Sequence, residues 1–275
     1  MNILLIADIV GKSGRRIVRQ KLPKLIDRHA IDFIIANVEN AAGGFGITPK
    51  IADELFSFNI DCLTSGNHIF DRKEIIPYLA RQEKLLRPIN YPEPAPGSGV
   101  YIGVSRNGMR VAVLNIMGRV FIDSYDCPFR TADHALEQIG KRADVRIIDF
   151  HAEATSEKIA FGWYMDGRVA AVIGTHTHVQ TADERILPGG TAFISDAGMT
   201  GPFDSVIGIE KELAIERLLT QRPVKFETAT RNVKLQAVLV GLDENTGLSI
   251  DIQRLTVEDD GGEPAIEAGM ADEKE

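Results

Sequence analysis

The sequence predicts an α/β protein in which two mixed β-sheets are flanked by helices. Three observations carry this. Apolar strand-like runs alternate with helical stretches from Asn2 to Ser65, the pattern of consecutive β-α-β units. The middle of the chain adds a hairpin signal, Arg106-Asn107-Gly108, between two apolar runs. The final third reads as antiparallel β around Asn245-Thr246-Gly247.

Each element has a local reason. Asn2–Asp8 is an apolar strand, and a glycine-containing loop then leads into a basic amphipathic helix, about Arg15–His29. Asp32–Glu39 is the second strand. Thr48 and Pro49 form an N-cap and N1 pair for a helix reaching about Phe58. Asp61–Ser65 is the third strand, with Gly66-Asn67-His68 directly after it. Past the Pro/Gly-rich stretch Tyr91–Gly99, strands are expected at Val100–Ser105, Met109–Ile116, Val145–His151, Val169–Gly174 and Thr191–Ser195. Helices are expected at Thr131–Arg142, Thr155–Met165 and Glu210–Leu219. Val224–Glu227, Val233–Leu242 and Leu248–Leu255 complete the antiparallel region. With no linker and no repeat, residues 1–257 read as one domain.

The 275 residues carry 31 Lys and Arg against 39 Asp and Glu, a formal net charge of −8. Residues 258–275 hold eight acids and one base, which leaves the body nearly neutral. This acidic, Gly/Ala-rich segment lacks aromatics and is expected to be a poorly ordered tail. The balance argues against extended nucleic-acid binding and anionic membrane surfaces, which reward clustered cations. No apolar run approaches the roughly 20 residues of a membrane span. Met1–Ala7 is short, has no basic lead and runs into Asp8, so no secretory leader is expected. Two cysteines, Cys62 and Cys127, do not make a disulfide framework, and a reducing cytoplasm is expected.

The chemistry collects at strand ends. Asp8 ends the first strand, Glu39 and Asn40 the second; Asn67 and His68 follow the third. His151 ends a later strand, and His176-Thr177-His178 follows another. That rim is where open α/β sheets bind ligands. A lone strand-end histidine is usually structural, but five strand ends carrying metal-ligand types make coincidence a poor account. Nitrogen and oxygen donors without thiolate suit Mn, Fe or Zn. Six or seven donors exceed the needs of one hydrolytic ion and suit two ions sharing a carboxylate, which act on phosphate esters.

In this order, Asp8, Glu39-Asn40, Gly66-Asn67-His68, His151 and Gly174-Thr175-His176-Thr177-His178 resemble the calcineurin-like metallophosphoesterases. More closely, they resemble the bacterial branch of YmdB-type phosphodiesterases. The likeness extends through Val38–Gly44, Asp149–Lys158, Gly174–Ala182 and Asp196–Pro202. It implies a four-layer αββα sandwich and two divalent or mixed-valence transition ions, Fe or Mn first and Zn as an option. By that resemblance Asp8, Glu39, Asn40 and His178 would hold one ion. Glu39, Asn67, His151 and His176 would hold the other, with a bridging hydroxide attacking phosphorus. His68, outside the ligand set, would be the general acid, with Asp71 either orienting it or capping a helix. The branch departs from the wider superfamily, whose first motif is Asp-x-His; Val10 stands at the third position here, and Asn40 would supply the missing ligand.

Several motifs have plainer readings. Gly11-Lys12-Ser13 looks like a P-loop end, but Ile6 stands where that pattern needs glycine; Lys12 or Arg15 could still touch phosphate. Gly43-Gly44-Phe45-Gly46 lacks dinucleotide-loop spacing and reads as close backbone passage. Glu153 and Thr155 could support a ligand or cap a helix. Trp163 and Tyr164 read as core, and Asp149 as a strand residue pairing with Arg146 or Lys158. The expected function is a phosphodiesterase on small phosphodiesters; the resemblance implies 2′,3′-cyclic nucleotides and a homo-oligomer. The alternatives are a broad phosphomonoesterase on the same site and a nucleotide-binding regulator without turnover.

Overall fold

Alternation along β1 (Asn2–Ile6) sets the layers in this computed structural model, which describes residues 1–259. Leu4 and Ile6 pack on α1 (Gly11–His29) and α2 (Pro49–Phe56), whereas Ile3 and Leu5 point into a core shared with a second sheet. The same parity governs β3 (Phe33–Asn37): Ile34 and Ala36 face the helices, Phe33 and Ile35 the inter-sheet core. A period of two gives a strand two apolar faces, so both must be covered.

The first sheet also contains β2 (Asp8–Ile9), β4 (Cys62–Thr64), β11 (Met199–Pro202) and β12 (Val233–Leu242), in the order β2-β11-β12-β1-β3-β4. β13 (Ser249–Glu258) pairs antiparallel with β12. The second sheet takes β5 (Val100–Val104), β6 (Arg110–Met117), β7 (Val145–His151), β8 (Ala171–Thr175), β9 (Arg185–Ile186) and β10 (Ala192–Ile194), ordered β5-β6-β7-β8-β10-β9. Its outer face packs on α4 (Pro128–Ile139) and α5 (Thr155–Met165) through Leu114, Ile148, Phe150, Ala132 and Phe161. Among the described residues the two remaining α-helices are α3 (Ile75–Leu79) and α6 (Lys211–Thr220). Both sheets mix parallel and antiparallel pairs. Three apolar layers between four structural layers make the expected αββα sandwich.

The differences from expectation are local. The first strand breaks at Ala7, where the chain leaves its pairing with β12 and Asp8 joins β11 instead. Helix α1 begins at Gly11 and swallows the P-loop-like stretch. Gly14 is there for packing: a Cβ would collide with the Thr200 carbonyl of β11. Arg15 binds Glu54 and the Ala41 carbonyl, so it holds the loop after β3 in place. Val224–Glu227 forms no strand; that stretch is exposed or half-buried, and the nearest ladder partner is at Thr228. Trp163 and Tyr164 are exposed on α5, under Arg185 and Arg168 respectively, and are not core.

Glu258 still belongs to β13, pairing with Lys234, and Asp259 takes Arg16 at 2.8 Å. Residues 260–275 of the expected tail lie outside the described residues. Among the described residues no helix is long and apolar enough to cross a membrane.

Candidate metal centre

The two sheets bring their strand ends to one edge, and the predicted residues meet there. Glu39 is the hub. Its Oε1 lies 3.0 Å from His151 Nε2 and 3.9 Å from His176 Nδ1. His176 Nδ1 is also 3.0 Å from His151 Nε2. On the other side Asp8 Oδ1 lies 3.8 Å from His178 Nε2, and Asn40 Nδ2 sits between His178 Nε2 at 3.0 Å and Glu39 Oε1 at 3.3 Å. Two donor groups result, Glu39/His151/His176 and Asp8/Glu39/His178, each with its ligand atoms within 4.8 Å of one another. They share Glu39.

Asn67 lies between Gly66 and His68, and both touch Glu39's surroundings. The His68 N–H points at Glu39 Oε2 from 3.5 Å. Gly66 has no alternative residue: a Cβ would overlap Glu39 Oε2 and His151 Nε2. The third strand end is therefore pressed directly against the hub.

The donor set suits cations. Asp8, Glu39, His151 and Asn40 are buried, and a buried carboxylate is costly unless paired. Burial raises the Asp8 carboxyl well above the carboxylate range, reinforced by the charges of Glu39, Asp196 and Asp149. Burial alone would also raise Glu39, but its contacts with the His151 and His176 imidazoles bring it well below the usual range. Burial holds the His151 imidazole down to about 4, so it is neutral at pH 7, as a ligand must be. Burial lowers His178 as well. Asp8 Oδ1 and Asn67 Oδ1 are buried without a hydrogen-bond partner. Two orphaned acceptors on two expected ligands fit divalent ions, and so does the absence of thiolate: Cys62 lies in the inter-sheet core.

Each imidazole is held through its other nitrogen. His151 Nδ1 meets Thr175 Oγ1 at 2.9 Å, and that hydroxyl donates to Asp149 Oδ1 at 2.6 Å. His176 Nε2 lies 3.1 Å from Glu153 Oε2. His178 Nδ1 donates to the Ile207 carbonyl at 2.8 Å. These partners fix the nitrogen that faces the site. Glu153 thus supports His176 rather than its near neighbour His151, and α5 has no side-chain cap. His176 and His178 both take positive φ, 104° and 63°, so the loop after β8 is bent to deliver two candidate ligands with one residue between them.

His68 is half-buried and lines a cleft together with Glu39, His176 and His178, with Nδ1 2.8 Å from Asp71 Oδ2. Asp71 therefore orients His68 and caps nothing, since α3 begins only at Ile75. The Phe45 ring stands edge-on to the imidazole, 5.1 Å between centroids.

Sequence reasoning missed the framework behind these ligands. Asp149 is fully buried and accepts from Asn37, Thr64 and Thr175, not from Arg146 or Lys158. Lys158 instead binds Asp196 at 2.7 Å and the Thr175 carbonyl at 2.8 Å. Asp196 takes the N–H and hydroxyl of Thr177, between His176 and His178. The available signal was an aspartate inside the apolar run Ile147–Phe150, because charged residues are rarely buried without a purpose.

A family profile described as "YmdB-like protein" matches residues 4–255. The chain is 47% identical over 260 residues to a Bacillus subtilis (strain 168) protein named 2′,3′-cyclic-nucleotide 2′-phosphodiesterase, covering 94% of this chain and 98% of that one. A Thermus thermophilus structure, of a hypothetical protein, superposes with a TM-score of 0.88 at 40% identity, covering 94% and 99% of the two chains. A Mycoplasma pneumoniae structure described as a novel phosphatase gives 0.88 at 32% identity and 95% coverage of both. The chain therefore belongs to the YmdB-like family.

Proposed function

We propose that this protein is a metal-dependent phosphodiesterase acting on small phosphodiesters, foremost 2′,3′-cyclic nucleotides. The single observation that carries the reading is Glu39, shared by two donor groups, with unused buried acceptors on Asp8 and on Asn67. Asp8, Glu39, Asn40 and His178 would hold one ion, and Glu39, Asn67, His151 and His176 the other. When bound, a pair of Fe, Mn or Zn ions supplies an activated water and charge stabilisation at phosphorus.

The chain's own residues do the rest. Glu39 Oε1 faces His151 on one side and Asn40 on the other, so one carboxylate would serve both donor groups. The Asp149–Thr175 pair and the Ile207 carbonyl keep His151 and His178 in the tautomers that present Nε2. His68 is the proton donor to the leaving oxygen. Asp71 engages Nδ1, leaving Nε2 as the ring nitrogen for the cleft that His68 lines. The substrate class rests on the name of the Bacillus subtilis relative. Cleavage at the 2′ oxygen would leave a 3′-monophosphate.

The test is to reconstitute purified protein with Mn or Fe and measure metal content together with turnover of 2′,3′-cyclic AMP. Two ions per chain and release of adenosine 3′-monophosphate are expected. One ion per chain, or metal-loaded protein that binds nucleotide without releasing product, would sink the proposal. The phosphatase description of the Mycoplasma pneumoniae structure favours a second reading, a phosphomonoesterase on the same residues; preference for the monoester over the cyclic diester would select it. Residues 1–257 acting as one catalytic domain, a homo-oligomer and a cytoplasmic location belong to the same proposal.

A further inference from the structure

Residues Val206–Ile209 form a tight turn beside the candidate centre. Val206 and Ile209 exchange both backbone hydrogen bonds, at 2.9 and 3.0 Å. The two residues between them, Ile207 and Gly208, both have positive φ, 49° and 100°. Two central residues at positive φ are the mark of a type I′ turn, whose first position strongly favours Asn, Asp or Gly. A β-branched residue there is a genuine outlier. Ile207 nevertheless occupies it, and its side chain is half exposed rather than buried in compensation.

Folding does not explain this choice, but the cleft does. Ile207 lines it together with Val10, Phe45, Ile209 and Thr228, and the other walls are Glu39, Asn40, His68, His176 and His178. Thus an apolar wall is continuous with the ligand set. Ile207 is tied to that set by its carbonyl, which accepts the His178 Nδ1 proton. The turn is in turn pinned to Thr228 by the Ile209–Thr228 bridge. Backbone and side chain therefore have separable jobs. Aspartate, asparagine or glycine at this position would serve the carbonyl equally well; only an apolar side chain serves the wall.

We propose that Ile207 is a specificity residue whose side chain, with Phe45 and Ile209, receives the base of a nucleotide whose phosphate lies at the metal centre. The inference rests on the phosphodiesterase reading and deepens it. Aliphatic side chains, an aromatic ring and one hydroxyl suit a flat, weakly polar ring. Inorganic phosphate would use the ligand side of the cleft alone.

Ile207→Gly and Ile207→Asn both accept positive φ, so each keeps the turn and its carbonyl while removing the apolar side chain. The measurement is calorimetric binding of adenosine 3′-monophosphate and of inorganic phosphate to Mn-loaded protein. Both variants are expected to weaken nucleotide binding about 10-fold, the loss of one apolar contact, and to leave phosphate binding and Mn content unchanged. Phe45→Ala is expected to do the same. Parallel weakening of nucleotide and phosphate would assign Ile207 only to holding His178, and unchanged nucleotide binding would remove it from recognition; either result overturns the proposal. Because the readout is binding, it still decides the question if no diester is hydrolysed, an outcome that would count against the phosphodiesterase reading alone.

Discussion

Glu39 Oε1 stands 3.0 Å from His151 Nε2, and both side chains are closed off from solvent although they come from different sheets. The pair joins the loop after β3 in one sheet to the end of a central strand in the other.

Glu39→Gln keeps the shape and removes the shared charge. Replacing even an outer partner of a metal ligand typically costs about 10–100-fold in affinity or activity, so loss of the shared carboxylate is expected to exceed about 100-fold in turnover. Metal content should fall for both ions together. Elemental analysis decides it: loss of a single ion would show that Glu39 serves one side only.

His68→Ala removes the expected proton donor while leaving every candidate ligand in place. Turnover of a diester with a poor alkoxide leaving group should fall about 10²–10⁴-fold, the usual range for a general acid. A good leaving group, such as nitrophenolate, should lose far less. Asp71→Asn should show the same leaving-group pattern at a smaller amplitude, since Asp71 acts only through His68 Nδ1. Normal metal content with equal losses on both leaving groups would exclude His68 from proton transfer.

Lys158→Met breaks a buried ion pair and leaves the Asp196 charge and the Thr175 carbonyl without their cation. Breaking such a pair from one side costs about 3–5 kcal/mol, on the order of 10 °C in Tm for a chain of this size. A Lys158→Met/Asp196→Asn double variant should recover part of the loss. Thermal unfolding of Lys158→Met, Asp196→Asn and the double variant checks this; additive losses would mean the two side chains do not act as a pair.

Low pH should weaken one surface contact in a defined window. Arg110 grips the Asp144 carboxylate through its side chain and backbone, which lowers Asp144 to about 2. A carboxyl lowered on folding contributes stability that is present above its unfolded pKa and is lost as pH falls through the folded value. The stability gap between wild type and Asp144→Asn should therefore be constant above about pH 5 and close between about pH 4 and pH 2. The pair is partly exposed, so the gap should be small and shrink in high salt. Urea midpoints at about pH 6, 4 and 3 measure it; a gap that widens on acidification would contradict the assignment.

What the sequence determined by itself was local in origin. The apolar parity of Ile3-Leu4-Leu5-Ile6, the Thr48-Pro49 helix start and the strand-end positions of Asp8, Glu39, Asn67, His151 and His176 are all written in short windows. Turn residues and a period of two act over a few residues, and so they can be read there. Only the tertiary structure decided which nitrogen of each histidine faces the site. That choice depends on Thr175, Glu153 and the Ile207 carbonyl, of which the last lies 29 residues from His178. It also decided that Asp149 accepts from Asn37 and Thr64 across the inter-sheet layer, and that Ala7 interrupts the first strand so that Asp8 pairs with β11. These contacts follow from how two sheets stack and where their edges meet. A linear pattern carries no record of that stacking, because the partners are distant in sequence and become neighbours only when both apolar faces are covered.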